Sequence, residues 1–111
     1  MQDCIFCKII EGKLPAKVID QTDDVIVVQD IAPKAPVHYL IIPKSHVQDV
    51  ASLSQKEQDI PSQILFMAQK LGRQLNGSKS FRLIMNNGVD AGQSVSHLHC
   101  HFISGKHLSD F

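Results

Sequence analysis

Charge of neither sign is in excess. Eleven lysines and arginines balance eleven aspartates and glutamates over 111 residues, which leaves a formal charge of zero and a pI near 7.0. Without a basic surplus the chain lacks the electrostatic footprint of a duplex nucleic-acid binder or of a protein drawn to anionic membranes. No apolar run approaches the roughly 20 residues that span a bilayer. The opening MQDCIFCKIIEGK has no positive stretch ahead of its apolar residues, so it does not read as a secretory signal, and the expected location is the cytoplasm. Low-complexity tracts and internal repeats are missing too. With 43% apolar and 20% charged residues, that excludes a disordered or collagen-like chain. Three cysteines, an odd number, do not make a disulfide framework. A chain of this length buries roughly two-thirds of its unfolded surface and needs no such staples. One domain over residues 1–111 is expected.

What is present can be read as elements. Ile5 to Ile10 is a short apolar stretch stopped at Glu11-Gly12, a helical turn. Val18-Ile19 and Val25 to Val28 are β-branched and flank Gln21 to Asp24, which suits a hairpin. Two prolines mark Asp30 to Pro36 as a loop, and His38 to Ile42 is a third strand. Ser54-x-x-Glu57 has the form of a capping box and opens a helix. Pro61 then either kinks that helix or starts a new one. Ile64, Leu65, Met67, Ala68, Leu71 and Leu75 recur near helical spacing up to Asn76-Gly77, which reads as the C-cap. Phe81 to Met85 and Ser96 to Ser104 are the fourth and fifth strands, separated by turns at Asn86-Asn87-Gly88 and Ala91-Gly92. Few connections are long enough for parallel crossovers. The expected fold is therefore α+β, an antiparallel sheet of about five strands packed with one long helix and a short N-terminal helix.

Two groups of residues carry chemistry. The first is His97-Leu98-His99-Cys100-His101. On a strand, residues two apart share a face, so the three imidazoles line one side about 7 Å apart while Leu98, Cys100 and Phe102 face the core. Histidine suits work near neutral pH as nucleophile, acid, base or ligand. Just upstream, Gly92-Gln93-Ser94 offers a glycine turn and side-chain donors, fit for a phosphate. The second is Cys4-x-x-Cys7, a spacing that reads as metal-binding or redox-active. The βαβ setting of a thioredoxin-like motif is missing, which favours metal, and thiolates favour zinc.

Gly92-Gln93-Ser94-Val95-x-His97-x-His99-x-His101 resembles the signature of the histidine-triad (HIT) family of nucleotide hydrolases and transferases, in its HINT-like branch. The resemblance extends over nearly the whole chain. It includes Ile5-Phe6-x-x-Ile9, Asp30-Ile31-x-Pro33-x-Ala35-Pro36-x-His38, Ile42-Pro43-Lys44-x-His46 and Asn86-x-Gly88. It implies the following roles. His99 is the nucleophile toward an α-phosphorus and forms a nucleotidyl-histidine that water resolves. His101 hydrogen-bonds the phosphate, and His38 belongs to a proton relay to the leaving group. Asn86, Gly92 and Ser94 hold the phosphate oxygens. Asp30 takes the ribose hydroxyls, and Ile5, Phe6, Ile9, Val28 and Ile31 line the purine pocket. Covalent catalysis of this kind divides one hard displacement into two easier ones.

The same resemblance, to HIT-like and uridylyltransferase relatives that bind zinc through CxxC, implies a structural zinc on Cys4, Cys7, His46 and His97, one per chain. It also implies a homodimer. The activity it points to is hydrolysis of purine nucleoside 5′-phosphoramidates. Its rivals are a dinucleoside polyphosphate hydrolase and a low-turnover zinc adaptor that binds nucleotide. Two departures stand out. Gln29 occupies the place of a histidine before the ribose aspartate, and the chain has no tryptophan where the branch typically carries a tryptophan-containing tail. The missing tryptophan tail implies looser discrimination among leaving groups. Cys100 is expected to be simply buried, and His107 to be solvated.

Overall fold

The computed structural model describes residues 3–110. Helix α1 spans Ile5–Ile10, strands β1 and β2 span Val18–Gln21 and Val25–Gln29, and β3 spans Val37–Pro43. Helix α2 spans Ile60–Arg73, β4 spans Phe81–Ile84 and β5 spans Cys100–Ser104. The five strands form one antiparallel sheet in the order β1-β2-β3-β5-β4. This is the expected α+β architecture. No helix among the described residues is long and apolar enough to cross a membrane.

The central strands are apolar at consecutive positions because both their faces are covered. Val25, Val27 and Ile41 face α2, where Ile60, Ile64, Met67, Ala68 and Leu71 close the larger core with Leu98, Cys100 and Phe102. Ile26, Val28, Leu40 and Ile42 face the other way, onto Phe6 of α1 and the partly buried Cys4, Ile9, Ile10 and Val95. Each large aliphatic side chain so buried contributes about 1.5–3 kcal/mol. Gly72 lets β4 approach α2. A methyl group there would stand 2.6 Å from the Phe81 ring, which stacks on Phe102 at 4.7 Å between centroids.

Several boundaries differ from the expectation. Ser54 does bond Glu57 and accept from the Lys56 N–H, but it caps only a 3-10 turn over Gln55–Glu57. The long helix is a new one that starts at Ile60, with Pro61 in its first turn, where a missing N–H costs nothing. It ends at Arg73, so Asn76-Gly77 lies in the turn beyond and is not its C-cap. β4 stops at Ile84 rather than Met85.

The larger correction is at the fifth strand, which begins at Cys100 and not at Ser96. The β3–β5 ladder reaches Ile41 opposite Cys100 and goes no further. Two residues on, β3 ends in Pro43, which has no N–H to offer. The chain ahead of Cys100 bonds elsewhere, with the Leu98 N–H on the Val47 carbonyl at 2.7 Å. His97 therefore stands at a bend and His99 on the unpaired residues just ahead of the strand. The alternation survives even so, since Leu98, Cys100 and Phe102 all lie in the α2-side core.

Candidate active site and metal centre

Four ligand-type side chains converge where α1 meets the end of β3. Cys4 is the N-cap of α1, and its Sγ accepts the Cys7 N–H at 3.3 Å. One turn of helix therefore brings both thiols to the same end. His46 follows β3 on the segment held by the Val47–Leu98 bond. His97 is fully buried, and its Nε2 lies 2.8 Å from the Pro43 carbonyl. A carbonyl only accepts, so Nε2 carries the hydrogen and Nδ1 keeps its lone pair.

That Nδ1 lies 3.4 Å from Cys4 Sγ, 3.6 Å from Cys7 Sγ and 3.1 Å from His46 Nδ1, and His46 Nδ1 lies 3.3 Å from Cys7 Sγ. All four donor atoms fall within 4.8 Å of one another. A tetrahedron with Zn–S of about 2.3 Å and Zn–N of about 2.05 Å has S···N edges of about 3.55 Å and an N···N edge of about 3.35 Å. The four side chains thus fit a tetrahedral ion. Burial pulls the pKa values of His46 and His97 below the ordinary imidazole range, which favours the neutral, ligating form. Burial, followed by the Cys4 thiol beside it, pushes the Cys7 thiol up. A dication between the sulfurs reverses that direction. Four protein ligands leave no open position for water, so such an ion is structural.

A second group is joined by hydrogen bonds. The Lys34 N–H donates to His38 Nδ1 at 3.1 Å, which fixes the His38 proton on Nε2. His38 Nε2 is 2.9 Å from His101 Nδ1 and 3.5 Å from Asp30 Oδ2. His101 Nδ1 therefore accepts, and its hydrogen sits on Nε2. Asp30, His38 and His101 also lie close enough to hold a metal ion. The Lys34 N–H argues against that, because it leaves His38 Nε2 protonated rather than free to ligate.

His99 Nδ1 lies 2.7 Å from the His97 carbonyl and so carries the hydrogen, which leaves a lone pair on Nε2. The His99 and His101 rings are 5.3 Å apart. The His101 pKa is pushed down to about 4, first by burial and then by the neighbouring His99 and His38. In its neutral form His99 thus presents an Nε2 lone pair, next to a His101 ring whose hydrogen sits on Nε2.

The remaining expected residues divide. Gly88 and Gly92, both at positive φ, flank a 3-10 turn, and a methyl group on Gly92 would lie 3.6 Å from Asn86 Nδ2. Ser94 is exposed on a cleft with Cys4, Ile5, His46 and Gln48. Gln93 is engaged within its own loop. Its Oε1 accepts the Gly88 N–H at 2.7 Å, its Nε2 donates to the Gln48 and Val95 carbonyls, and its own N–H goes to the Gly88 carbonyl. On the apolar side, Ile5 is half-exposed and Ile31 fully exposed, whereas Val28 and Phe6 are buried at 2% and 6% and have little surface to give a base. Asp30 uses Oδ1 on the Ala32 N–H at 2.8 Å and turns Oδ2 toward His38. Cys100 is buried, its thiol pushed up to about 11 by burial. Sequence reasoning missed Lys34, Pro43 and the His97 carbonyl, because main-chain groups set these tautomers and carry no side-chain signal.

The fold and the paired histidine sites define a histidine-triad protein. A HIT domain model matches residues 11–108, and the chain belongs to that family. It is 34% identical to an uncharacterized HIT-like protein of Synechocystis over 97% of this chain and 95% of that one. It superposes on a HIT family hydrolase from Clostridium thermocellum with a TM-score of 0.93 and 40% identity, covering 100% of this chain and 97% of that one. A zinc-bound histidine triad family protein from Mycobacterium smegmatis gives a TM-score of 0.83 and 26% identity, covering 95% of this chain and 76% of that one.

Proposed function

We propose that the protein hydrolyses purine nucleoside 5′-phosphoramidates through a covalent nucleotidyl-histidine. The observation that carries this is the pair of fixed tautomers, with the His99 lone pair held on Nε2 by the His97 carbonyl and the His101 proton held on Nε2 by His38.

His99 Nε2 attacks the α-phosphorus as the P–N bond to the amine breaks. One solvent proton enters with the anionic substrate onto His38 Nδ1, in place of the Lys34 N–H bond, and His38 Nε2 hands its own proton to His101 Nδ1. His101 Nε2 passes its proton to the leaving nitrogen. Water then attacks phosphorus, the bond to His99 breaks, a proton returns to the pair, and the nucleoside 5′-monophosphate departs. Asn86, Gly92 and Ser94 receive the phosphate oxygens. Asp30 takes the ribose hydroxyls, and the base rests on Ile5, Ile9 and Ile31, with Phe6 and Val28 behind them. An amine leaving group needs mainly a proton, so phosphoramidates are the better substrates than dinucleoside tetraphosphates.

Zinc on Cys4, Cys7, His46 and His97 fixes the N-terminal turn to the sheet. A second copy of the chain covers the exposed Leu65 of α2 and Phe81 on the edge strand β4. The test is His99→Ala, which abolishes turnover of an adenosine phosphoramidate and retains binding of AMP. A variant that keeps most of the hydrolysis rate refutes the covalent route.

A further inference from the structure

Phe6 sits between the two thiols in sequence, Cys4-Ile5-Phe6-Cys7, and between the two sites in space. Its ring meets His99 edge-to-face at 5.0 Å and His97 edge-to-face at 5.9 Å, both with an interplanar angle of 78°. With 6% of its surface exposed it has little freedom to swing away. A side chain one residue from one ligand and two from another moves only if that ligand turn moves. The neighbours of the His99 ring include the His97 carbonyl at Nδ1, the His101 ring and the Phe6 ring. The first belongs to a residue of the four-ligand group, and the third lies within its thiol turn.

We infer that Phe6 is a positioning residue, through which the Cys4–Cys7 turn holds the His99 imidazole in its Nδ1–H, Nε2-lone-pair orientation. This deepens the proposed hydrolase reading, on which the catalytic consequence rests. The physical basis is the preference of aromatic rings for edge-to-face contact and the sensitivity of a nucleophile to small misplacement. Phe6 touches no reacting atom in this scheme. Its effect falls on how much of the time His99 stands correctly, and so on kcat. An ion on the four ligands tightens the turn and with it the ring.

The experiment uses the full chain with 15N-labelled histidine, compared as the zinc-loaded wild type, the zinc-stripped wild type and Phe6→Leu. Leucine keeps an apolar side chain and leaves all four ligands in place. Two-bond 15N–1H correlation reports the His99 tautomer and its ring-proton shift, neither of which depends on turnover. In the loaded wild type His99 shows a single Nδ1–H tautomer. In Phe6→Leu the ring-current shift of His99 disappears and the tautomer becomes mixed, with zinc still near one per chain. Its kcat falls about tenfold. Stripping the metal from wild type moves the same His99 signals in the same direction. His99 signals unchanged in both the stripped protein and Phe6→Leu overturn the assignment. So does a kcat for Phe6→Leu that stays within twofold of wild type. Wild type that cleaves no phosphoramidate but shows the expected His99 signals overturns the hydrolase reading and leaves the positioning role supported.

Discussion

Stripping the ion from the Cys4, Cys7, His46 and His97 group is the perturbation with the largest expected effect on folding. The group joins chain positions up to 93 residues apart and draws on α1, the end of β3 and the approach to β5. The His46 and His97 Nδ1 atoms face each other at 3.1 Å, and the bond from His97 Nε2 to Pro43 leaves the His97 Nδ1 lone pair free for a ligand role. A metal that binds the native chain and not the unfolded one stabilises it by about 4 kcal/mol when free metal is a thousandfold above its Kd. At about 2.1 cal/mol/K per residue, a chain of this length has an unfolding entropy near ~0.23 kcal/mol/K, so the midpoint rises by about 18 °C. The assay is thermal unfolding in zinc buffers spanning three decades of free ion, with metal content measured alongside. Wild type should climb with free zinc, whereas Cys4→Ser combined with Cys7→Ser should stay flat and hold no stoichiometric metal. The increment should shrink on acidification, because protons compete for the imidazoles and thiolates. Burial keeps His46 and His97 neutral to a lower pH than an ordinary histidine, so the loss begins below that range. A melting temperature indifferent to free zinc, or a double variant that still carries one zinc per chain, would refute the site.

The other expectations are more local. His101 has its pKa pushed down to about 4 in the folded chain, against an ordinary value near 6.5 once unfolded. Its neutral form therefore adds stability that is complete above about pH 6.5 and lost as pH falls toward 4. His101→Asn should flatten the acid side of the melting curve over that window, and an unchanged slope would contradict the assignment. Gln93→Ala removes the partner of the Gly88 N–H and of the Gln48 and Val95 carbonyls, at a cost of about 2–4 kcal/mol by urea unfolding. A loss under about 0.5 kcal/mol would mean that water replaces the amide. Sedimentation at micromolar concentration should give twice the 12.3 kDa chain mass, and Leu65→Glu with Phe81→Glu should restore the single-chain value. A wild type that sediments as a single chain removes the dimer.

The sequence by itself determined the order of elements, the antiparallel sheet with one main helix, and the two groups of chemical residues. Each rests on short-range regularities: β-branched runs, helical spacing through Leu71, and alternation that keeps Leu98, Cys100 and Phe102 together in the core. Family resemblance added the ligands His46 and His97, and the structure draws both to the CxxC turn. The tertiary structure alone decided where β5 begins, because the neighbouring strand ends in a proline without an N–H and the Leu98 N–H finds Val47 instead. It alone turned the Gln93 amide inward. It also decided which nitrogen of each histidine holds a proton, through the Lys34 N–H and the Pro43 and His97 carbonyls. Every residue but proline carries the same N–H and carbonyl, so no letter in the sequence shows which of them will meet a histidine ring. The Lys34 N–H and the His97 carbonyl reach their rings through the local path of the backbone, whereas Pro43 meets His97 only because the chain folds back over 54 residues.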